Sequence, residues 1–129
     1  MYLDTDVILS LLKERDWLKE SVEKKLREVN EKLKTSAITI VECQIVLIRE
    51  ESRSSATDVL DRIRELRVEV LPLTEEVLQL SKELLEKYPK LNIFDSLHIA
   101  HVLHEGEKIM STDSLFDEIE GVARMDPLA

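Results

Sequence analysis

Met1-Tyr2-Leu3-Asp4-Thr5-Asp6-Val7-Ile8 decides the fold of this chain. Met1 to Thr5 reads as a short apolar strand, and it runs without a turn sequence into Asp6–Lys13, whose apolar residues recur at helical spacing. An acidic residue, Asp4, stands at the joint. Similar joints follow along the chain. Ser36–Ile40 reads as a second strand entering a helix at about Val41–Glu50, with Glu42 just past the strand. Lys108–Ser111 reads as another strand, with Asp113 just beyond it and a helix at Ser114–Glu120. Asp95 opens Asn92–His104, a helix so apolar that it must be buried against a sheet, closed by Gly106.

Between these joints, Trp17, Leu18, Val22, Leu26, Val29 and Leu33 predict one amphipathic helix over Asp16–Leu33. Ser52–Ser55 is a polar break, and Val59, Leu60, Ile63 and Leu66 mark the next helix. Val68–Leu71 reads as a third strand, stopped by Pro72. Thr74 caps a helix carrying Val77, Leu80, Leu84 and Tyr88, which ends near Pro89. Val122–Met125 is a last short strand. Strands alternating with helices imply an α/β fold, with a short central parallel sheet of four or five strands covered by helices on both faces in three layers. In such sheets ligands bind beyond the carboxyl ends of the strands, where strand order reverses. Asp4, Glu42, Asp95 and Asp113 can therefore reach one crevice.

A length of 129 residues is that of one domain, residues 1–129, with room for a layered core but not for a large added lid. No apolar run approaches the ~20 residues of a membrane span, and no basic segment followed by an apolar one marks a signal peptide. A cytoplasmic protein is expected. Cys43 is the only cysteine, which excludes a disulfide framework and a cysteine-rich zinc site. A formal charge of −9 argues against a bare electrostatic grip on nucleic acid, so a phosphodiester substrate would need metal ions to reverse the local sign. Glu and Lys are abundant while Asn and Gln are scarce, a balance common in heat-adapted proteins.

Each acidic residue also has a structural reading. Thr39-x-x-Glu42 fits a capping box. Asn92 with Asp95, and Thr112 with Asp113, fit N-terminal caps, where the helix dipole favours negative charge by ~0.3–1 kcal/mol. Taken together they point elsewhere, because carboxylates around one crevice repel each other, a cost that a bound cation turns into a gain.

The segments Leu3-Asp4-Thr5-Asp6-Val7-Ile8, Ile38-Thr39-Ile40-Val41-Glu42, Ile93-Phe94-Asp95-Ser96-Leu97-His98-Ile99-Ala100 and Ser111-Thr112-Asp113-Ser114-Leu115-Phe116 resemble, in order, the four acidic motifs of PIN-domain nucleases. Size and spacing resemble most the VapC toxins of toxin–antitoxin pairs. The resemblance implies a helix-sandwiched parallel sheet, with Asp4, Glu42, Asp95 and Asp113 as catalytic ligands for Mg²⁺ or Mn²⁺ and Thr112 near the fourth. It further implies endoribonuclease activity on RNA, a cognate antitoxin and a homodimer. Oxygen ligands suit such hard cations, and two ions could activate water and stabilise the leaving oxygen without a side-chain nucleophile. Asp6 departs from the pattern, since many members carry an uncharged polar residue there, and Asp117 is a further acidic candidate for the fourth corner.

Asp4-x-Asp6 also resembles the first motif of haloacid-dehalogenase-type phosphatases, which would make Asp4 a nucleophile and Asp6 a general acid/base. Asp113-x-x-x-Asp117 would then bind metal, and Thr39 and Lys108 phosphate. That alternative leaves Glu42 and Asp95 without work and lacks a glycine before Asp113. A non-catalytic module on the same fold is the third possibility. His98, His101 and His104 sweep around one helix rather than holding a chelating face, which favours packing or supporting roles. Cys43 reads as a small buried residue and Trp17 as core or interface. Arg15, Arg49, Arg53, Lys90 and Arg124 are the basic residues available for RNA backbone contacts.

Overall fold

The computed structural model describes residues 1–129. Its five strands are β1 (Tyr2–Leu3), β2 (Lys34–Ser36), β3 (Glu69–Leu71), β4 (Ile109–Met110) and β5 (Arg124–Met125). They lie in the order β3-β2-β1-β4-β5, and every neighbouring pair is parallel. The order reverses at β1, which pairs with β2 on one side and β4 on the other. That is the switch point at which such sheets open a crevice.

Seven α-helices connect the strands: α1 (Thr5–Leu12), α2 (Lys19–Glu28), α3 (Ala37–Glu50), α4 (Arg53–Thr57), α5 (Val59–Glu65), α6 (Glu75–Lys87) and α7 (Ile93–Glu105). Successive strand residues face opposite ways, which sorts them into two cores. Leu3 and Met110 pack with Val7 and Ile8 of α1, Val22 of α2, Cys43 and Leu47 of α3 and Ile63 of α5. Tyr2 and Ile109 pack with Val77 and Leu84 of α6, Ile99 and Val102 of α7, and Phe116. Fully burying one Leu, Ile or Val side chain stabilises by about 1.5–3 kcal/mol. These two layers sustain strands of two and three residues, which their few ladder bonds would not hold alone. Cys43 is buried, as expected.

Several boundaries differ from the sequence expectation. The second strand occupies Lys34–Ser36, not Ser36–Ile40, because α3 already begins at Ala37. β-branched Ile38, Thr39 and Ile40 are helical, and Ile38 and Thr39 are buried from the first turn. Tertiary burial overrides strand propensity here. The Thr39–Glu42 capping box is absent: Ser36 is the N-cap, with no side-chain cap bond, and the Thr39 hydroxyl is buried without a partner. The Asp16–Leu33 helix is confined to Lys19–Glu28. Val29 and Leu33 still pack on the core from extended chain, so their spacing imitates helix continuation. Trp17 is 74% exposed, on the surface and not in the core. The Ser52–Ser55 break is a helix start, with the Ser52 hydroxyl accepting from the Ser55 amide. The helix expected at Ser114–Glu120 is a 3₁₀ turn at Ser114–Glu118. The Thr74 cap and the left-handed Gly106 terminus are where the sequence puts them.

α5 ends without a glycine. Arg67 takes the left-handed position at φ 59°, and the Val68 amide returns to the Ile63 carbonyl. The left-handed region costs an L-residue roughly 1–2 kcal/mol, partly offset on substitution by the entropy that glycine loses. Arg67→Gly should therefore raise the unfolding free energy by about 0.5–1 kcal/mol, and Arg67→Ala should leave it unchanged, as read from urea midpoints.

Candidate metal centre

The crevice opens where β1 and β4 end side by side. The Asp4 amide continues the ladder to the Met110 carbonyl at 3.1 Å, and its side chain turns to cap α1. Oδ1 accepts from the Thr5 amide at 2.8 Å and Oδ2 from the Ser111 hydroxyl at 2.7 Å. Ser111 Oγ in turn accepts from the Asp113 amide at 3.0 Å, so one hydroxyl ties the two acidic joints together. Burial pushes the Asp4 carboxyl up to about 6; the Asp6 charge adds to this, while His98 works against it.

Glu42 reaches the same place from the second turn of α3. Its Oε1 accepts from the Thr5 hydroxyl at 2.8 Å and from His98 Nε2 at 2.5 Å, and Oε2 accepts nothing from the protein. Asp95 lies in the first turn of α7, but Asn92 makes the cap, accepting from the Asp95 amide at 2.8 Å. The Asp95 carboxylate is thereby left half-buried and without a hydrogen bond. Burial, then the charge of Asp113, holds it above its ordinary pKa of 3.8. Asp113 caps the 3₁₀ turn through Oδ1, which accepts from the Leu115 amide at 2.9 Å; Oδ2 is free.

The accessory acids are engaged differently. Asp6 Oδ1 accepts from the Val7 amide, and Oδ2 takes both the amide and the hydroxyl of Thr112. Asp6 and Thr112 therefore clamp α1 to the loop after β4. Asp117 is held in a bidentate pair by Arg124 at 3.0 and 2.8 Å, and Arg124 also donates to the Ser111 carbonyl. These two steady the loop from its far side.

No lysine or arginine comes within ion-pair distance of Asp4, Asp6, Glu42, Asp95 or Asp113; the one basic neighbour is His98, near Glu42 and 3.8 Å from Asp4 Oδ1. Burial opposes its charged form, but the bond to Glu42 and the charges of Asp4, Glu42 and Asp95 outweigh it, and the pKa is raised. Sequence spacing shares a helix face between Asp95 and His98, yet nothing in one sequence pairs His98 with Glu42, 56 residues away. His101 only packs: it stacks on Tyr2 with centroids 6.1 Å apart, its Nε2 has no partner, and burial, helped by its histidine neighbours, lowers its pKa to about 4. His104 is exposed.

A model of the PIN-domain family matches residues 1–122. The chain belongs to the PIN-domain family. Its fold is that of solved VapC structures. The Mycobacterium tuberculosis VapC20 toxin, described as cleaving the sarcin–ricin loop, superposes with a TM-score of 0.79 at 16% identity, over 91% of this chain and 92% of that one. VapBC-1 from nontypeable Haemophilus influenzae gives 0.78 at 19% identity, over 99% and 98%. FitAcB from Neisseria gonorrhoeae gives 0.74 at 21%, over 98% and 97%. A search of curated proteins by sequence finds no match.

The donor set of this PIN domain fits a hard divalent cation: it is all oxygen, it carries free lone pairs on Glu42, Asp95 and Asp113, and its charge is uncompensated except by His98. The carboxylates stand around the crevice, and no three acidic, imidazole or thiolate groups converge on one ion-sized point.

With metal chelated, Asp4 binds its proton more tightly folded, near 6, than unfolded, near 3.8. Its contribution to stability is then present below pH 4 and lost as pH rises to 6, by about 3 kcal/mol. The raised His98 acts in the same direction, above pH 6.5. In melts with EDTA, Asp4→Asn should gain on the wild type between pH 4 and 7. A constant difference across that range would mean that Asp4 is not held protonated by its surroundings.

Proposed function

We propose that this PIN domain is a Mg²⁺- or Mn²⁺-dependent endoribonuclease and the toxin of a toxin–antitoxin pair. The observation that carries the proposal is the gathering of Asp4, Glu42, Asp95 and Asp113 at the switch point, with oxygens free on Glu42, Asp95 and Asp113 and no lysine or arginine to balance the four. A structural acid is normally capped or paired, and Asp6 and Asp117 illustrate that condition. Glu42, Asp95 and Asp113 keep unsatisfied oxygens where a phosphodiester would arrive, and Asp4, with one donor on each oxygen, brings a fourth carboxyl that no lysine or arginine balances.

Bound there, divalent ions supply Lewis acidity and a water of lowered pKa for an in-line displacement. Asp4, Glu42, Asp95 and Asp113 would hold them. Asp6 with Thr112, and Arg124 with Asp117, fix the loop that carries Asp113. The hydroxyls of Thr5, Ser111 and Thr112 all donate to carboxylates, and in this reading the nucleophile is water and no covalent adduct forms. A phosphatase acting through Asp4 fits poorly: Thr39 is buried, and Lys108 lies just before β4, at the opposite end of the sheet from Asp4.

RNA is proposed as substrate by analogy with VapC20. Arg15, Arg49 and Arg53 are exposed and free of acidic partners, whereas Lys90 pairs with Glu118, and Arg124 with Asp117 and Asp126. The first three are the better candidates for backbone phosphates. Such a substrate would put the enzyme in the cytoplasm; no helix is long and apolar enough to cross a membrane. Val41, Ile45 and Ile48 form an exposed apolar stripe on α3, each a little under half exposed. Apolar residues at this spacing support a protein interface, which we assign to a homodimer. The antitoxin would block the crevice by placing Arg or Lys among the carboxylates.

Asp95→Asn should abolish cleavage of RNA, and chelation should silence the wild type until Mg²⁺ or Mn²⁺ is restored; undiminished cutting by Asp95→Asn would remove the quartet from the chemistry. In the complex, changing the antitoxin's inserted basic residue to alanine should restore cleavage more than it weakens binding, since affinity would rest on apolar anchors. Inhibition that persists in full would mean the partner covers or distorts the site.

A further inference from the structure

Buried polar groups run in a line from the end of β2 to the crevice. Ser36 Oγ lies 2.8 Å from the Tyr2 phenol oxygen, that oxygen 2.7 Å from His98 Nδ1, and His98 Nε2 2.5 Å from Glu42 Oε1. Ser36 and Tyr2 are wholly buried, and His98 is 2% exposed. An apolar side chain would fill the position at less desolvation cost, as its neighbours Leu97 and Ile99 do. Both imidazole nitrogens are nonetheless paired. His101, one turn along, makes the contrast, since its Nε2 has no partner.

The line ends on the acid that most needs holding. Glu42 has a longer and freer side chain than the three aspartates. Both of its donors, Thr5 from α1 and His98 from α7, fall on Oε1, which leaves Oε2 unengaged. The phenol can give a proton to Nδ1 or accept one, with Ser36 taking the complementary part. The line therefore stays fully bonded whether the imidazole is neutral or charged.

We propose that His98, aligned by Tyr2 and Ser36, is the positioning residue for Glu42, fixing one carboxylate oxygen so that the other is presented to a divalent cation. This rests on the metal-centre function proposed above. Carboxylates that bind metal are generally held by such outer partners, and losing one typically lowers metal affinity about 10- to 100-fold.

The test is Mn²⁺ affinity of the full chain at fixed pH, by calorimetry and by the EPR signal of free Mn²⁺, beside thermal melts. The amide nitrogen of glutamine reaches about as far as Nε2, and that of asparagine about as far as Nδ1. His98→Gln should keep the Glu42 bond and bind Mn²⁺ within a few-fold of wild type. His98→Asn should keep the Tyr2 side and lose about 10- to 100-fold. Their melting temperatures should fall alike, because each forfeits one partner of a buried group. Tyr2→Phe keeps the ring and should weaken Mn²⁺ binding in the same direction by less; should the histidine variants not fold, unchanged affinity in folded Tyr2→Phe overturns the inference. So does equal loss, or no loss, in the two His98 variants. A wild type that binds no Mn²⁺ would remove the metal centre and this role with it. A wild type that binds Mn²⁺ but cuts no RNA would overturn the RNA substrate alone, and the split between the variants would still support the role of His98.

Discussion

The parallel pairing of β1 with β2 on one side and β4 on the other is the constraint on which the rest of the structure depends. Tyr2 and Leu3 are wholly buried and face opposite layers, so a shift of one residue along β1 would exchange the two cores. The same register sets the chemistry. With Leu3 beside Met110, the next residues are Asp4 and Ser111, whose side chains meet. With Tyr2 beside Lys34, the chain after β2 enters α3 at a height from which Glu42 reaches Thr5.

Placing carboxylates together has a cost, and the layout of the cores explains why the fold tolerates it. The two layers hold 14 and 13 buried apolar residues. Burial of these side chains is the driving force that brings the chain together, and it does not depend on the charge state of the crevice. Apolar burial decides the fold, and the crevice is free to be unfavourable. His98 then limits how unfavourable it is, standing between Asp4 and Glu42 as the one basic group there.

The alternation of strands and helices, the parallel sheet and the positions of the acidic joints are legible in the sequence because they rest on local pattern. Asp4, Glu42, Asp95 and Asp113 each follow an apolar run or open one. The Ser36–Ile40 boundary is misleading because Ile38-Thr39-Ile40-Val41 carries strand propensity, while the layer beneath α3 needs Ile38 and Thr39 as buried helical residues. The far end of the Asp16–Leu33 pattern misleads for another reason, since Val29 and Leu33 answer to the same core after the helix has stopped. Local caps such as Asn92 with Asp95 are legible, but the partners that hold the acids across the fold are not. Asp6 with Thr112, Asp117 with Arg124 and His98 with Glu42 are set by how the sheet brings distant segments together, and residue type alone assigns them no partner.

Those partners separate acids that hold the structure from acids available to a ligand. Asp6 has both oxygens engaged by groups of the chain itself, Oδ2 twice over, and Asp117 has both engaged by Arg124. Asp4 also has a donor on each oxygen, so it would meet a cation only through the lone pairs left beside those bonds. Glu42 and Asp113 spend one oxygen on the fold and keep the other, and Asp95 keeps both because Asn92 does the capping. A chain of net charge −9 repels a polyanion at long range, but at physiological salt that repulsion fades within about 8 Å. Within that distance lie the unengaged oxygens of Glu42, Asp95 and Asp113, with no lysine or arginine to offset them. A cation held there would turn this stretch of acidic surface into one that draws a phosphate in, so binding the ion and admitting the substrate would be coupled electrostatically.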